Sequence, residues 1–421
     1  MTSSDPGDAV ATERLAGPAR PGRVLVHVGA PKTGTSFVQD VLWLNRESLA
    51  EQGVLYPADR FDEHFLAALD LMELQWGGLE HQAVGAWDRL AGRVREWQGT
   101  AIVSHEILAT ASRQQVRRAL ESFGDAEVHV VLSARDLVRQ IPAEWQENVK
   151  HRRTLGYRAF LDKITDERRS SELASWFWGV QEVPDILYRW GESLPPERVH
   201  LVTVPKPGAD RGLLWQRFAS VFGLDAAALA PDTTRVNPSL GVPETTLLRR
   251  VNKRVNQGVL EGDDYRLFVR ELLAHQTLSR RDASARLGVP DDVRAWAVTL
   301  SEAWIEDLAT RGYDVVGSLD ELRPDTTPAS DFVDPDRADE ADVSDAAMDS
   351  LVRLLQEVAR LHGSKTQLER ELAATREELE RTRGVWSKVK RRLVRAADDS
   401  RVAAAGLSAY RRVRGSSSRS A

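Results

Sequence analysis

One segment constrains this chain more than any other. The apolar run Val24-Leu25-Val26-His27-Val28 leads straight into Gly29-Ala30-Pro31-Lys32-Thr33-Gly34-Thr35-Ser36. A run of that length and composition reads as a buried strand. The glycines after it let backbone N–H groups crowd round an anion. A helix predicted to start near Thr35, on the amphipathic residues Phe37, Val41, Leu42 and Leu44, aims its positive end at the same anion. Lys32 adds a point charge on a flexible stem, and Thr33, Thr35 and Ser36 add hydroxyl donors.

Further runs rich in Val, Leu and Ile follow at Ala101–Val103, Glu127–Ser133 and Val199–Val204, after a first strand at Arg23–Val28. Each is separated from the next by enough chain for a helix. That spacing predicts βαβ units and an α/β fold of three layers, a central parallel sheet flanked by helices. Ligands in such sheets sit at the carboxyl ends of the strands. The loop 29–36, Ser104-His105-Glu106 and Ala134-Arg135-Asp136 all fall there.

At 421 residues the chain exceeds one ordinary compact domain, so a large catalytic domain with appended pieces is expected. Charged residues make up 29% but nearly cancel, at −6 overall, which gives no case for a nucleic-acid partner. The chain has no cysteine, and that excludes disulfides, zinc–cysteine sites and thiol nucleophiles. Residues 1–21 read as a disordered leader without the features of a signal peptide. No run reaches the roughly 20 apolar residues of a membrane span. A cytoplasmic protein is the expectation.

The domain predicted over 22–317 gives way at 318–349 to eleven acidic residues against two arginines, with Pro324, Pro328 and Pro335 interleaved. This composition predicts an acidic flexible linker. Over 350–383, Leu351, Leu354, Val358, Leu361, Lys365, Leu368, Leu372, Thr375, Leu379 and Thr382 recur at spacings of three and four. This predicts a coiled-coil helix and a candidate homodimer. The tail 384–421 is basic, with Lys388, Lys390, Arg391, Arg392 and Arg395 beside Trp386 and Val389. It is a candidate for peripheral contact with the inner, anionic face of a membrane.

The loop is not a Walker A motif, in which the Lys follows the second Gly and precedes a Ser or Thr that holds Mg²⁺. Here Lys32 comes two residues before Gly34. The order Pro-Lys-Thr-Gly-Thr-Ser resembles the 5′-phosphosulfate loop of sulfotransferases that use PAPS (3′-phosphoadenosine-5′-phosphosulfate). The stretch Val130-Val131-Leu132-Ser133-Ala134-Arg135-Asp136-Leu137 resembles that family's 3′-phosphate clamp, and Thr234–Gly241 resembles a downstream loop of its bacterial members. The resemblance covers residues 23–317.

The resemblance implies a fold like that of P-loop NTPases, with PAPS as co-substrate and no metal. Pro31, Lys32, Thr33, Gly34, Thr35 and Ser36 would hold the phosphosulfate, with Lys32 on the bridging oxygen. Arg135 would hold the 3′-phosphate. The family has a Ser eight residues after this Arg, where the chain has Ala143, so Arg139 is a candidate substitute. Asn237 and Ser239 are candidates to close over the nucleotide. The implied activity is sulfuryl transfer to a hydroxyl of a carbohydrate or glycolipid, with Glu106 favoured over His105 as general base. Glu144 and His27 are weaker base candidates, and His27 reads better as a satisfied core histidine. Trp145, Trp176 and Trp178 are candidates to stack on a sugar, with Arg152 and Arg153 near anionic groups, although aromatics at these spacings are more often core residues. Two other readings stay open: a phosphotransferase with an altered P-loop, and an inactive domain that serves as a scaffold through its coiled coil and basic tail.

Overall fold

A computed structural model describes residues 22–210, 212–229, 239–256, 258–281, 284–325, 332–398 and 405–406. The chain divides into two compact units, residues 1–348 and 349–421. The first unit is built on six strands: β1 (Arg23–His27), β2 (Val54–Leu55), β3 (Thr100–Ser104), β4 (Glu127–Ala134), β5 (Val199–Thr203) and β6 (Asp314–Val316). They form one sheet in the order β2-β3-β1-β4-β5-β6. Every pairing is parallel. This is the expected three-layer α/β architecture.

Strand alternation divides the apolar residues between two cores. Val24, Val26, Val103, Val130 and Leu132 point to one face, under most of the helices. Leu25, Ile102, Val131 and Val202 point to the other, against the helices Thr35–Leu44 and Leu213–Phe222. Burial on both faces is why the strands read as continuous apolar runs. β1 lies centrally, with Val26 opposite both Val103 and Val130. The chain leaves β1 toward β2 and β3 on one side, then crosses to β4, β5 and β6 on the other. This reversal of winding puts the ligand crevice at the carboxyl end of β1.

The segment expected as a flexible linker is structured wherever it is described. Residues 318–322 form a capped single turn in which Ser318 and Glu321 bond reciprocally. Leu322 is buried in the main core. The Glu321 carboxylate takes Arg217 on both oxygens, at 2.6 and 2.9 Å, and the Thr203 hydroxyl at 2.5 Å. Asp336 pairs with Arg249 at 3.0 Å and accepts the Arg158 amide at 2.9 Å, and Ala338 and Val343 pack against Val242. Acidic residues taken for solvated charge are here partners of distant arginines.

The expected coiled-coil segment lies within one helix, Glu340–Asp398. Of the basic tail, residues 384–398 belong to the same helix. Beyond 398 only 405–406 are described. Among the described residues no helix is long and apolar enough to cross a membrane.

Replacing Glu321 by Ala leaves Arg217, whose side chain is 13% exposed, without its carboxylate. The expected loss is about 2 kcal/mol in urea unfolding. An unchanged midpoint would restore the linker reading.

Candidate functional site

The loop 29–36 leaves the end of β1 and is stitched to β4. The amide of Ala30 donates to the Ser133 carbonyl at 2.8 Å, and the Ser133 amide returns a bond to the Gly29 carbonyl at 2.6 Å. The Ser133 hydroxyl adds a bond to the same carbonyl at 2.9 Å. Gly29, Lys32 and Gly34 have φ of 127°, 63° and 94°. At Gly34 the φ of 94° strains any L side chain, and a Cβ would also meet Leu214 Cδ2 at 2.7 Å, so glycine is favoured there. Lys32 pays for its left-handed backbone at a cost of about 1 kcal/mol. The helix Thr35–Leu44 begins directly after Gly34 with no side-chain cap, which leaves its first-turn amides to an incoming anion.

The hydroxyls of the loop divide. Thr33 turns inward: it is buried, donates to the Ala30 carbonyl at 2.6 Å and lies 2.5 Å from the Ser133 hydroxyl. Its side chain therefore builds the loop, and the sequence reading of it as a donor to a ligand is corrected. Thr35 is buried at the helix start, whereas Ser36 is exposed. Lys32 Nζ donates to Glu147 Oε2 at 2.6 Å.

A second corner forms where β4 ends. Arg135 is half-buried and donates through Nε to Gln140 Oε1 at 2.9 Å and through Nη2 to the Arg139 carbonyl at 3.0 Å. Burial lowers its pKa to about 10, with Arg139 nearby acting in the same direction. Asp136 caps the helix Leu137–Lys150 by accepting the Arg139 amide. The Arg139 guanidinium pairs with Asp136 and with the Pro205 carbonyl, and its Nη2 is buried without a partner. Ala143 is half-buried on the same helix. The link between the corners is a residue that sequence reasoning missed. Gln140, buried, accepts from Arg135 and donates through Nε2 to the Pro31 carbonyl at 2.5 Å. A Gln on the core face of a helix directly after an Arg-Asp strand end was the available signal.

His105 and Glu106 follow β3. The His105 ring caps the next turn by accepting the Ile107 amide on Nδ1 at 3.3 Å, and it stacks on Phe65 at 5.0 Å. Burial holds its pKa below the usual histidine range, against the pull of Glu106, and its acceptor nitrogen is in use. Glu106 accepts from Gln39 Nε2 at 3.0 Å. Burial would raise its pKa, but His105, the Gln39 amide and Lys32 outweigh burial and keep the carboxylate ionised. Lys32 and Glu106 thus share an electrostatic neighbourhood.

Glu147, also missed from sequence, gathers the cations on the helix 137–150. Besides Lys32 it takes His151 Nε2 at 3.1 Å and Arg270 Nη2 at 3.4 Å. Burial opposes its ionisation, yet His151, Lys32 and Lys150 pull its pKa well below the usual carboxylate range. Glu144 is the reverse case. Burial raises it to about 7, with Glu147 adding to the rise, and it accepts from Gln181 at 3.0 Å. His27 is a core histidine, bonded to the Ser104 hydroxyl at 2.8 Å. Trp145 and Trp178 are core residues, with indole N–H groups on the Leu155 and Ile164 carbonyls. Trp176 is half-buried and meets Trp76 at 6.0 Å. Arg152 and Arg153 lie past the end of the helix, and Arg152 packs over Tyr265 at 4.7 Å. Ser239 is exposed, and Asn237 lies outside the described residues.

No protein-family model and no curated protein matches this chain. Two solved structures resemble it. A sulfotransferase from Alicyclobacillus acidocaldarius matches at 19% identity and a TM-score of 0.36, over 59% of this chain and 100% of its own. The sulfotransferase domain from the curacin biosynthetic pathway matches at 12% identity and a TM-score of 0.31, over 52% of this chain and 80% of its own. Likenesses at these scores carry no weight here for substrate or mechanism, and the architecture stands on its own sheet order.

His27, under the loop, sets a pH dependence. Burial lowers its pKa from 6.5 to about 4, so between those values the unfolded chain binds the proton and the folded one does not. Stability therefore falls as pH drops through that window, with a slope approaching ~1.4 kcal/mol per pH unit from this group. Urea unfolding of His27→Gln should show a shallower acid slope than the parent between pH 6.5 and 4. Equal slopes would contradict the assignment.

Proposed function

We propose that this chain is a PAPS-dependent sulfotransferase that acts on a hydroxyl of a carbohydrate or glycolipid. One observation carries the reading. Two separate donor-bearing corners, at the ends of β1 and β4, are joined by Gln140 through Pro31 and Arg135. A nucleotide with a phosphosulfate at one end and a 3′-phosphate at the other matches two corners. A triphosphate chain matches one.

The residues present fit such a nucleotide. The uncapped helix start after Gly34 and the Lys32 ammonium suit the phosphosulfate. Arg135 and the unpartnered Arg139 Nη2 suit the 3′-phosphate, and that nitrogen offers a donor where the family's Ser hydroxyl is missing at Ala143. PAPS supplies the sulfuryl group: the bond between acceptor oxygen and sulfur forms as the bond from sulfur to the bridging phosphate oxygen breaks. Lys32 stabilises the charge that develops on that bridging oxygen. Its ammonium has three donors, of which Glu147 takes one. Glu106 accepts the acceptor's proton, since it is ionised, whereas the His105 acceptor nitrogen already serves as a cap.

Lys32→Ala should abolish sulfuryl transfer from PAPS while the far-UV dichroism stays that of the parent. Glu106→Gln should lower kcat by about 100-fold or more with PAP (3′-phosphoadenosine-5′-phosphate) affinity kept. Calorimetry with PAP is the first check. No binding by the parent protein, or nucleotide hydrolysis that needs Mg²⁺, would sink the reading.

A further inference from the structure

Lys150 is 5% exposed, and its ammonium makes no hydrogen bond or ion pair with any described residue. Burial lowers its pKa to about 8, against the pull of Glu147. Its electrostatic neighbours also include Lys32 and Arg270. Arg270 reaches Glu147 with Nη2, but its Nε is buried without a partner, and so is His275 Nδ1. Arg270 and His275 lie on a π-helix, Tyr265–His275, a wide turn that recurs at functional sites. Tyr265 fixes this element, donating to Asn252 Oδ1 at 2.8 Å and to the Lys150 carbonyl at 3.3 Å.

Three basic side chains, Lys32, Lys150 and Arg270, therefore gather round one ionised carboxylate, Glu147. Glu144 sits near half-protonation at neutral pH, and Glu271, beside His275, is exposed. Buried positive charge in excess is costly unless an anion completes it. An aromatic wall adjoins: Trp76 meets His151 at 6.2 Å and Trp176 at 6.0 Å. Such faces accept the apolar side of a sugar ring.

We propose that the acceptor is an acidic sugar whose carboxylate, sulfate or phosphate rests on Lys150 and Arg270. The proposal deepens the sulfotransferase reading and rests on it. The anion could instead be the donor's own sulfuryl group, and the test separates the two sources. Full-length protein saturated with PAP is titrated with glucose, glucuronate, glucose 6-sulfate and glucose 6-phosphate. The anionic sugars should bind at least about tenfold tighter than glucose, and Lys150→Met with Arg270→Gln should erase the difference. Equal binding of glucose, or anion binding unchanged in the double variant, would overturn the acceptor site. So would a Lys150→Met variant that loses affinity for PAPS but not for PAP, because the cations would then serve the donor. Absence of PAP binding would instead remove the sulfotransferase reading, while anionic sugars could still be titrated. Lys150→Met keeps the side-chain volume and should leave the melting temperature unchanged or raised. A marked fall would assign the lysine to the fold.

The second unit carries an independent inference. Beyond residue 349 the long helix exposes Leu351, Val358, Leu361, Leu368, Leu372 and Leu379. These occupy the a and d positions of a heptad repeat. The flanking g positions hold Glu357, Glu371 and Glu378, and the e positions include His362, Arg376 and Arg383. In a parallel, in-register pair each g residue faces the e residue five positions on in the other chain. That places Glu357 against His362, Glu371 against Arg376 and Glu378 against Arg383. An antiparallel pair would set Glu against Glu and Arg against Arg.

We infer that a second copy of this chain covers the stripe, in parallel register. The full chain should scatter light as two copies, and Leu368→Glu with Leu372→Glu should halve that mass. Because the chain has no cysteine, Leu368→Cys should cross-link to itself under mild oxidation. A monomeric parent, or a dimer in which that variant fails to cross-link, would refute the pairing.

Discussion

The pairing of β1 with β4 sets what the rest of the crevice can do. The ladder does not stop where β1 ends. Val28 donates to Val131 and Ala30 to Ser133, and the Ser133 amide and hydroxyl both reach the Gly29 carbonyl. The phosphate-type loop is therefore an extension of the sheet. The same strand, one residue past Ala134, delivers Arg135. The two corners proposed to bind anions thus hang from adjacent strands of one ladder, and Gln140 bridges them. Pre-organisation of this kind lets charged groups act without reorganising when the ligand arrives.

Electrostatics then separate the acidic residues of the crevice by role. Glu106, Glu144 and Glu147 all lose water. Glu147 is surrounded by Lys32, Lys150, His151 and Arg270 and stays ionised. Glu106 is held ionised by His105, Gln39 and Lys32. Glu144 meets a neutral amide and a like charge, and rises to about 7. Environments that push the pKa values of similar groups apart give them different chemistry. Here they leave Glu106 ionised, as the proposed base must be, with Glu147 paired to cations.

What the sequence made legible was local. The glycines, lysine and hydroxyls of residues 29–36 lie within one turn, and the strands announce themselves by apolar runs buried on both faces. The strand end at Arg135 was readable for the same reason. Contacts between distant residues were not. Glu321 finds Arg217 across 104 positions, and Asp336 finds Arg249, so an acidic stretch that composition marks as a linker is tied down at both places. Trp145 and Trp178 could not be told from Trp176 by spacing, because what separates them is whether an indole N–H meets a backbone carbonyl in the core. Thr33 looked like a ligand donor because its partner, Ser133, lies a hundred positions away.

The Lys32–Glu147 pair joins these strands of argument. A lysine in left-handed backbone carries strain that something must hold, and a carboxylate on the helix 137–150 holds it by the side chain. The same carboxylate is too little for the cations it serves. Were Glu147 there only to neutralise Lys32, there would be no reason for Lys150 to be buried nearby or for Arg270 to reach the same carboxylate. Their excess charge is the ground for the proposed preference for an anionic acceptor. Trp76 and Trp176 adjoin this cluster through His151, which also bonds Glu147.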